Sequence, residues 1–144
     1  VLGTTADDGN PKARDPVDRA SSRVTAVVAV VAPTDLRIMV TAAKDRLPAY
    51  AKFPALDLDM ESAAKFSPLS HVTADDAPTL LIAGDEDKLV PVSHSQNIAT
   101  AFAEKKVTHE LMIIEGAGHG FRGDDYARSM DAMVAWFAEN LAKK

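Results

Sequence analysis

The run Val24-Thr25-Ala26-Val27-Val28-Ala29-Val30-Val31-Ala32 carries no charge and stops at Pro33. β-Branched side chains suit a pleated surface, and a run without polar alternation has no face to offer to water. Residues 24–32 therefore read as a strand buried on both faces of a parallel sheet. The run is about half of the roughly 20 residues a membrane helix needs, and as the longest apolar run it leaves no segment as a transmembrane candidate.

A strand of that kind needs helices on both sides of its sheet, and the rest of the chain supplies them. Residues 79–83, Thr-Leu-Leu-Ile-Ala after Pro78, form a second short buried strand that ends in the turn Gly84-Asp85-Glu86-Asp87. Pro91 then opens a helix to Lys105, with Val92, Ser95, Ile98, Ala99 and Phe102 on one face. Residues 110–114 are the third strand. A last helix over 124–141 spaces Tyr126, Met130, Met133, Val134, Phe137 and Leu141 at helical intervals, with Asp124 and Asp125 at its start and Lys143-Lys144 at its tail. Between the first two strands, short helices over 37–51 and 59–65, parted by Phe53-Pro54, make an excursion across the sheet. Residues 5–23 are charged, rich in turn formers and lack apolar periodicity, the pattern of a surface loop. The expected fold class is α/β: three layers, a mostly parallel sheet, flanking helices and right-handed connections.

Composition narrows the function. With 144 residues, 47% hydrophobic and 26% charged, the chain can bury one substantial core. A net charge of −5 has the wrong sign for a nucleic-acid or anionic-membrane surface. The chain has no cysteine, which excludes disulfides, thiolate metal sites and thiol nucleophiles while leaving the compartment open. His71, His94 and His109 have no mutual spacing that places two on one helical turn, and no acidic partner sits at a metal-ligand offset, so no metal is expected; no other cofactor is expected either.

Reactive groups in open α/β sheets collect in loops at the carboxyl ends of strands, which is where Asp35, the Asp85–Asp87 turn and His119 fall. His119 lies in Gly116-Ala117-Gly118-His119-Gly120-Phe121, where Gly118 and Gly120 leave its ring accessible. It either caps the loop or works as a general base, and the acidic turn after the preceding strand favours the base. Of the acids, Asp87 is placed to accept the ring N–H of His119, while Asp85 suits the amides of its own turn. Asp35 is the second candidate for orienting His119, with a helix N-cap as its other use. The glycines of this loop miss the Gly-x-Gly-x-x-Gly spacing by one residue, which argues against a dinucleotide site. No Gly-x-Ser-x-Gly turn occurs anywhere in the chain, and Ser93 and Ser95 at a helix start read as caps.

These pieces resemble the α/β-hydrolases, in the branch of carboxylesterases, acetyl esterase/lipase-like enzymes and prolyl-oligopeptidase relatives. The resemblance rests on Pro33-Thr34-Asp35-Leu36, on Ser67-Pro68-Leu69, on the stretch from Ala77-Pro78 through Gly84-Asp85-Glu86-Asp87 to Val90-Pro91, and on Gly118-His119-Gly120-Phe121 before a terminal helix. Their order is similar to the C-terminal half of that fold. The resemblance implies that Asp87 is the acid and His119 the base of a Ser-His-Asp triad acting on a small ester, and that residues 36–66 lie where such enzymes build a cap. It also implies that the serine elbow and the oxyanion loop precede the matched region. Val1 to Thr5 then reads as the end of the elbow's helix, and residues 1–144 as a single partial domain that begins downstream of its native start.

Two expectations follow. Removing the nucleophile of a triad costs on the order of 10⁶ in rate, so the chain by itself is expected to be inactive. A first strand without its neighbour leaves an apolar edge, so the chain is expected to associate, either with a missing N-terminal half or with another copy. A non-catalytic α/β binding module is the alternative function, and a flavodoxin-like or receiver-like domain the remaining one, which leaves the glycine-flanked His119 unexplained.

Overall fold

The computed structural model describes residues 2–43 and 58–142. Its elements run β1 (Val27–Val30), α1 (Leu36–Ala43), α2 (Met60–Phe66), β2 (Thr79–Gly84), α3 (Ser93–Lys105), β3 (His109–Ile114) and α4 (Gly123–Leu141). Single turns of 3-10 helix occur at Leu2–Thr4, Val17–Arg19 and Pro68–His71. The three strands pair in the order β1-β2-β3, all parallel, and the register aligns Val30 with Ile82 and Ile82 with Met112. All three strands therefore end on one side of the sheet.

Alternation along the strands divides the core in two. Val28, Val30, Leu80, Ile82, Met112 and Ile114 point to the face covered by Trp136 and Ala132 of α4. Ala29, Leu81 and Leu111 point to the opposite face, against Ile98, Ala99 and Phe102 of α3. Every residue of β2 is buried, as a strand covered on both faces requires. This is the expected three-layer α/β arrangement.

Local chemistry explains where the elements stop. Asp59 accepts the Ser62 N–H at 2.7 Å and so caps α2. Lys106 takes a left-handed conformation, φ 61°, which lets the Val107 N–H reach the Phe102 carbonyl at 2.9 Å and closes α3. Arg23 forms ion pairs with Asp8 and Asp75, holding the N-terminal loop against the segment that leads into β2.

Several expectations are corrected. The first strand is shorter than 24–32, and its residues are half-buried rather than buried on both faces. Among the described residues β1 has a neighbour only in β2, so its far side and parts of its faces remain uncovered. The face assigned to the terminal helix is also partly wrong. Ser129, Trp136 and Asn140 are the buried positions of α4, whereas Tyr126, Val134 and Leu141 are more than half exposed. The helix expected over 37–51 is present as α1 up to Ala43, and its remainder, with Phe53-Pro54, lies outside the described residues. The two ends of the 36–66 excursion, α1 and α2, pack on each other.

Candidate active site

Three loops leave the carboxyl ends of β1, β2 and β3, and two of them meet at Asp87 and His119. The Nδ1 of His119 lies 2.9 Å from Oδ2 of Asp87. The other Asp87 oxygen, Oδ1, accepts the N–H groups of Leu89 and Val90, each at 2.8 Å. The Asp87 side chain is 1% exposed and that of His119 40%. A buried carboxylate that accepts two backbone donors has one oxygen left to hold the imidazole. Facing that carboxylate, Nδ1 is the nitrogen that carries the ring proton, which leaves the basic lone pair on Nε2.

The acid turn and the histidine loop are joined by their backbones. The Glu86 N–H donates to the Ala117 carbonyl at 3.0 Å, and the Asp85 N–H to the Ile114 carbonyl at 3.3 Å. Oδ1 of Asp85 accepts the Gly116 N–H at 2.7 Å. Asp85 thus bonds the opposite loop rather than its own turn, and Asp87 serves the turn amides that had been expected of Asp85. Gly84 makes the close approach possible: a Cβ there would sit 2.7 Å from the carbonyl carbon of Ala117. Ala117 is itself buried in the core on the α4 side, so the loop that carries His119 is anchored from below. Gly120, φ 101°, lets the chain turn away immediately after the histidine.

Asp35 is elsewhere occupied. Its carboxylate accepts the Arg37 Nε at 2.7 Å, the Arg37 Nη2 at 2.9 Å and the Arg37 backbone N–H at 3.1 Å. The Arg37 guanidinium, opposed by burial, holds the Asp35 carboxyl below the ordinary carboxylate range. Asp35 therefore lies at the start of α1 as an ion-paired, cap-like acid, and the carboxylate bonded to His119 belongs to Asp87.

Two buried polar residues at these loops were not expected from sequence. Ser67 is fully buried; its hydroxyl donates to the Ala63 carbonyl at 2.6 Å and accepts the Leu36 N–H at 2.8 Å, joining the end of α2 to the start of α1. His94 is also fully buried, and its Nδ1 accepts the Asp35 N–H at 3.1 Å. Burial holds His94 below the ordinary histidine range, against the opposing pull of the Asp35 and Asp87 carboxylates. No local pattern marks either residue, because a helix-start histidine and a loop serine read as surface caps until the partner loops are in place.

A model of the prolyl oligopeptidase family matches residues 17–144. Among solved structures, an acetyl ester-xyloside bifunctional hydrolase from Caldicellulosiruptor lactoaceticus is 25% identical with a TM-score of 0.77, over 96% of this chain and 50% of that one. A puromycin-hydrolyzing peptidase from Mycobacterium tuberculosis is 28% identical with a TM-score of 0.63, over 83% of this chain and 19% of that one. Acylamino-acid-releasing enzyme 1 of Oryza sativa subsp. japonica is 27% identical over 96 residues, which is 65% of this chain and 12% of that protein. The chain thus spans half or less of the length of each of these proteins.

Proposed function

Because the chain belongs to the prolyl oligopeptidase family of α/β-hydrolases, we propose that Asp87 and His119 are the acid and base of a Ser-His-Asp triad that cleaves carboxylic esters, with the serine supplied from outside this polypeptide. The observation that carries the reading is the 2.9 Å pairing of an almost fully buried carboxylate with a half-exposed imidazole. In this reading Nε2 of His119 takes the proton of the incoming serine hydroxyl as its oxygen attacks the acyl carbon. The same proton passes to the departing alkoxide when the tetrahedral intermediate collapses. Asp87 stays ionised throughout, fixes the tautomer and stabilises the transient imidazolium. Water repeats the sequence on the acyl-enzyme.

The relatives include hydrolases named for esters and for peptides. Both bond types break through a tetrahedral intermediate, so the acid-base pair alone serves either. The ester reading takes its support from the acetyl ester hydrolase, the structure with the higher TM-score of the two. A binding module accounts for the buried Asp87 through its bonds to the Leu89 and Val90 amides, but gives no role to the accessible imidazole held against it.

Two measurements test the proposal. Purified chain is expected to show no His119-dependent turnover of a small p-nitrophenyl ester, and such turnover would place the nucleophile within these 144 residues. Nitrogen NMR of the same protein is expected to find the His119 ring proton on Nδ1. Asp87→Asn should move it to Nε2 and, in an assembly that includes the serine, lower kcat about 10⁴-fold. A wild-type proton on Nε2 removes the basis for the triad.

A further inference from the structure

The side chain of His94, in the first turn of α3, is sealed completely, and nothing in the acid-base pair uses it. It is bonded across a long stretch of sequence to the loop after β1. The Asp35 N–H donates to its Nδ1 at 3.1 Å, and the Thr34 hydroxyl donates to its backbone carbonyl at 2.6 Å. Both partners are buried, Thr34 at 3% and Asp35 at 7% exposure. The His94 N–H in turn donates to the Pro91 carbonyl at 2.9 Å, within the segment that leads out of the Asp87 turn. A backbone N–H can only donate, so Nδ1 must hold a lone pair and the ring proton must sit on Nε2. His94 and His119 are therefore opposite tautomers within one rim of loops.

We propose that His94 is a positioning residue: a neutral imidazole that ties the Thr34–Asp35 loop to the segment after the Asp87 turn, and so completes a continuous brace across all three strand ends. The other half of that brace is the Asp85–Gly116 and Glu86–Ala117 bonding between the acid turn and the histidine loop. Without the His94 imidazole the loop after β1 keeps its contacts to Ser67 and to Leu69, whose N–H donates to the Thr34 carbonyl at 3.0 Å, and keeps the Thr34 hydroxyl on the backbone carbonyl of residue 94, but loses the bond that holds the Asp35 N–H. The requirement is a hydrogen-bond acceptor at the place of Nδ1, not a histidine as such. Asparagine provides one, since its Oδ1 occupies nearly the same position relative to the backbone, and leucine does not. The inference rests on the acid-base reading only in calling the rim an active site; the tautomer and the bond to Asp35 stand apart from it.

The test uses the 144-residue chain throughout. In ¹⁵N-labelled wild type, the unprotonated ring nitrogen of His94 should be Nδ1; a proton on Nδ1 overturns the proposal whatever any variant does. In His94→Leu, hydrogen exchange of the Asp35 amide should quicken at least tenfold and the His119 ring resonances should move. In His94→Asn both should return most of the way to wild type. Equal Asp35 protection in all three proteins overturns the proposal, and so does a His94→Asn that behaves as His94→Leu does. If the leucine variant does not fold, the wild-type tautomer and the asparagine variant decide. None of these readouts requires ester hydrolysis, so failure here and failure of the triad leave different traces.

Discussion

At Gly84 the acid turn crosses the histidine loop with no room for a side chain. An added Cβ would meet the backbone of Ala117 and Gly118, which cannot rotate away as a side chain can. Gly84→Ala should therefore cost about 1–3 kcal/mol, toward the upper end because the obstacle is backbone. Gly118→Ala, where a Cβ meets nothing within 4 Å, should stay within about 0.5 kcal/mol. Urea denaturation of the pair checks both, and equal losses would contradict the crossing. His94 makes a second residue-level expectation. Burial disfavours its charged form in the folded chain, against the pull of Asp35 and Asp87. As pH falls below about 6.5 the unfolded chain takes up the proton and the folded one does not, so stability drops, with a slope approaching about 1.4 kcal/mol per pH unit. Asp35 has a lowered native value, caused first by its bond to Arg37. Its contribution is complete above about 3.9 and is lost as pH falls through that native value. The His94→Asn variant should lack the upper decline, and an unchanged pH profile in that variant would refute its assignment to His94. The Asp87–His119 pair was legible from sequence because each member sits in a turn whose glycines and proline have few other uses. His94 was not legible, since burial of a polar side chain is decided by a partner loop about sixty residues away.

Element by element, strand positions were easier to read than helix faces. β2 and β3 fall within one residue of their expected spans because short apolar runs between Pro78 and the Gly84 turn, or before Gly116, leave little choice of boundary. The terminal helix α4 carries apolar residues on more than one side, and periodicity alone cannot say which side meets the sheet. The structure buries Trp136 at 5% exposure and leaves Val134 at 64%. Trp136→Ala should thus cost about 3–5 kcal/mol, whereas Val134→Lys should change stability by no more than about 0.5 kcal/mol. Thermal melts of the two variants distinguish the observed face from the expected one, and a large loss in Val134→Lys would restore the latter. The shortness of β1 has a comparable cause. Its composition suits a central strand, but composition does not report whether a neighbour is present.

On the scale of the whole molecule, β1 is only half-buried, and Tyr126, Val134 and Leu141 of α4 are exposed among the described residues. Beside β1, on the α3 side, an apolar cavity of about 110 Å³ is lined by Gly3, Val27, Ala29, Thr79, Leu81 and Phe102. We expect this side to be covered in solution by another polypeptide segment or by a second copy of this chain, because an apolar strand with an open edge is a template for pairing. Light scattering on the purified chain should show association that grows with concentration, and a monomer across that range would count against it.

The bonding between the acid turn and the histidine loop has a practical corollary. Both members of the proposed acid-base pair are held by contacts internal to this chain, so a serine-bearing piece that docks on it would meet the pair already in place. Such a piece and this chain, each fused to one of two interacting proteins, would form a split-enzyme reporter.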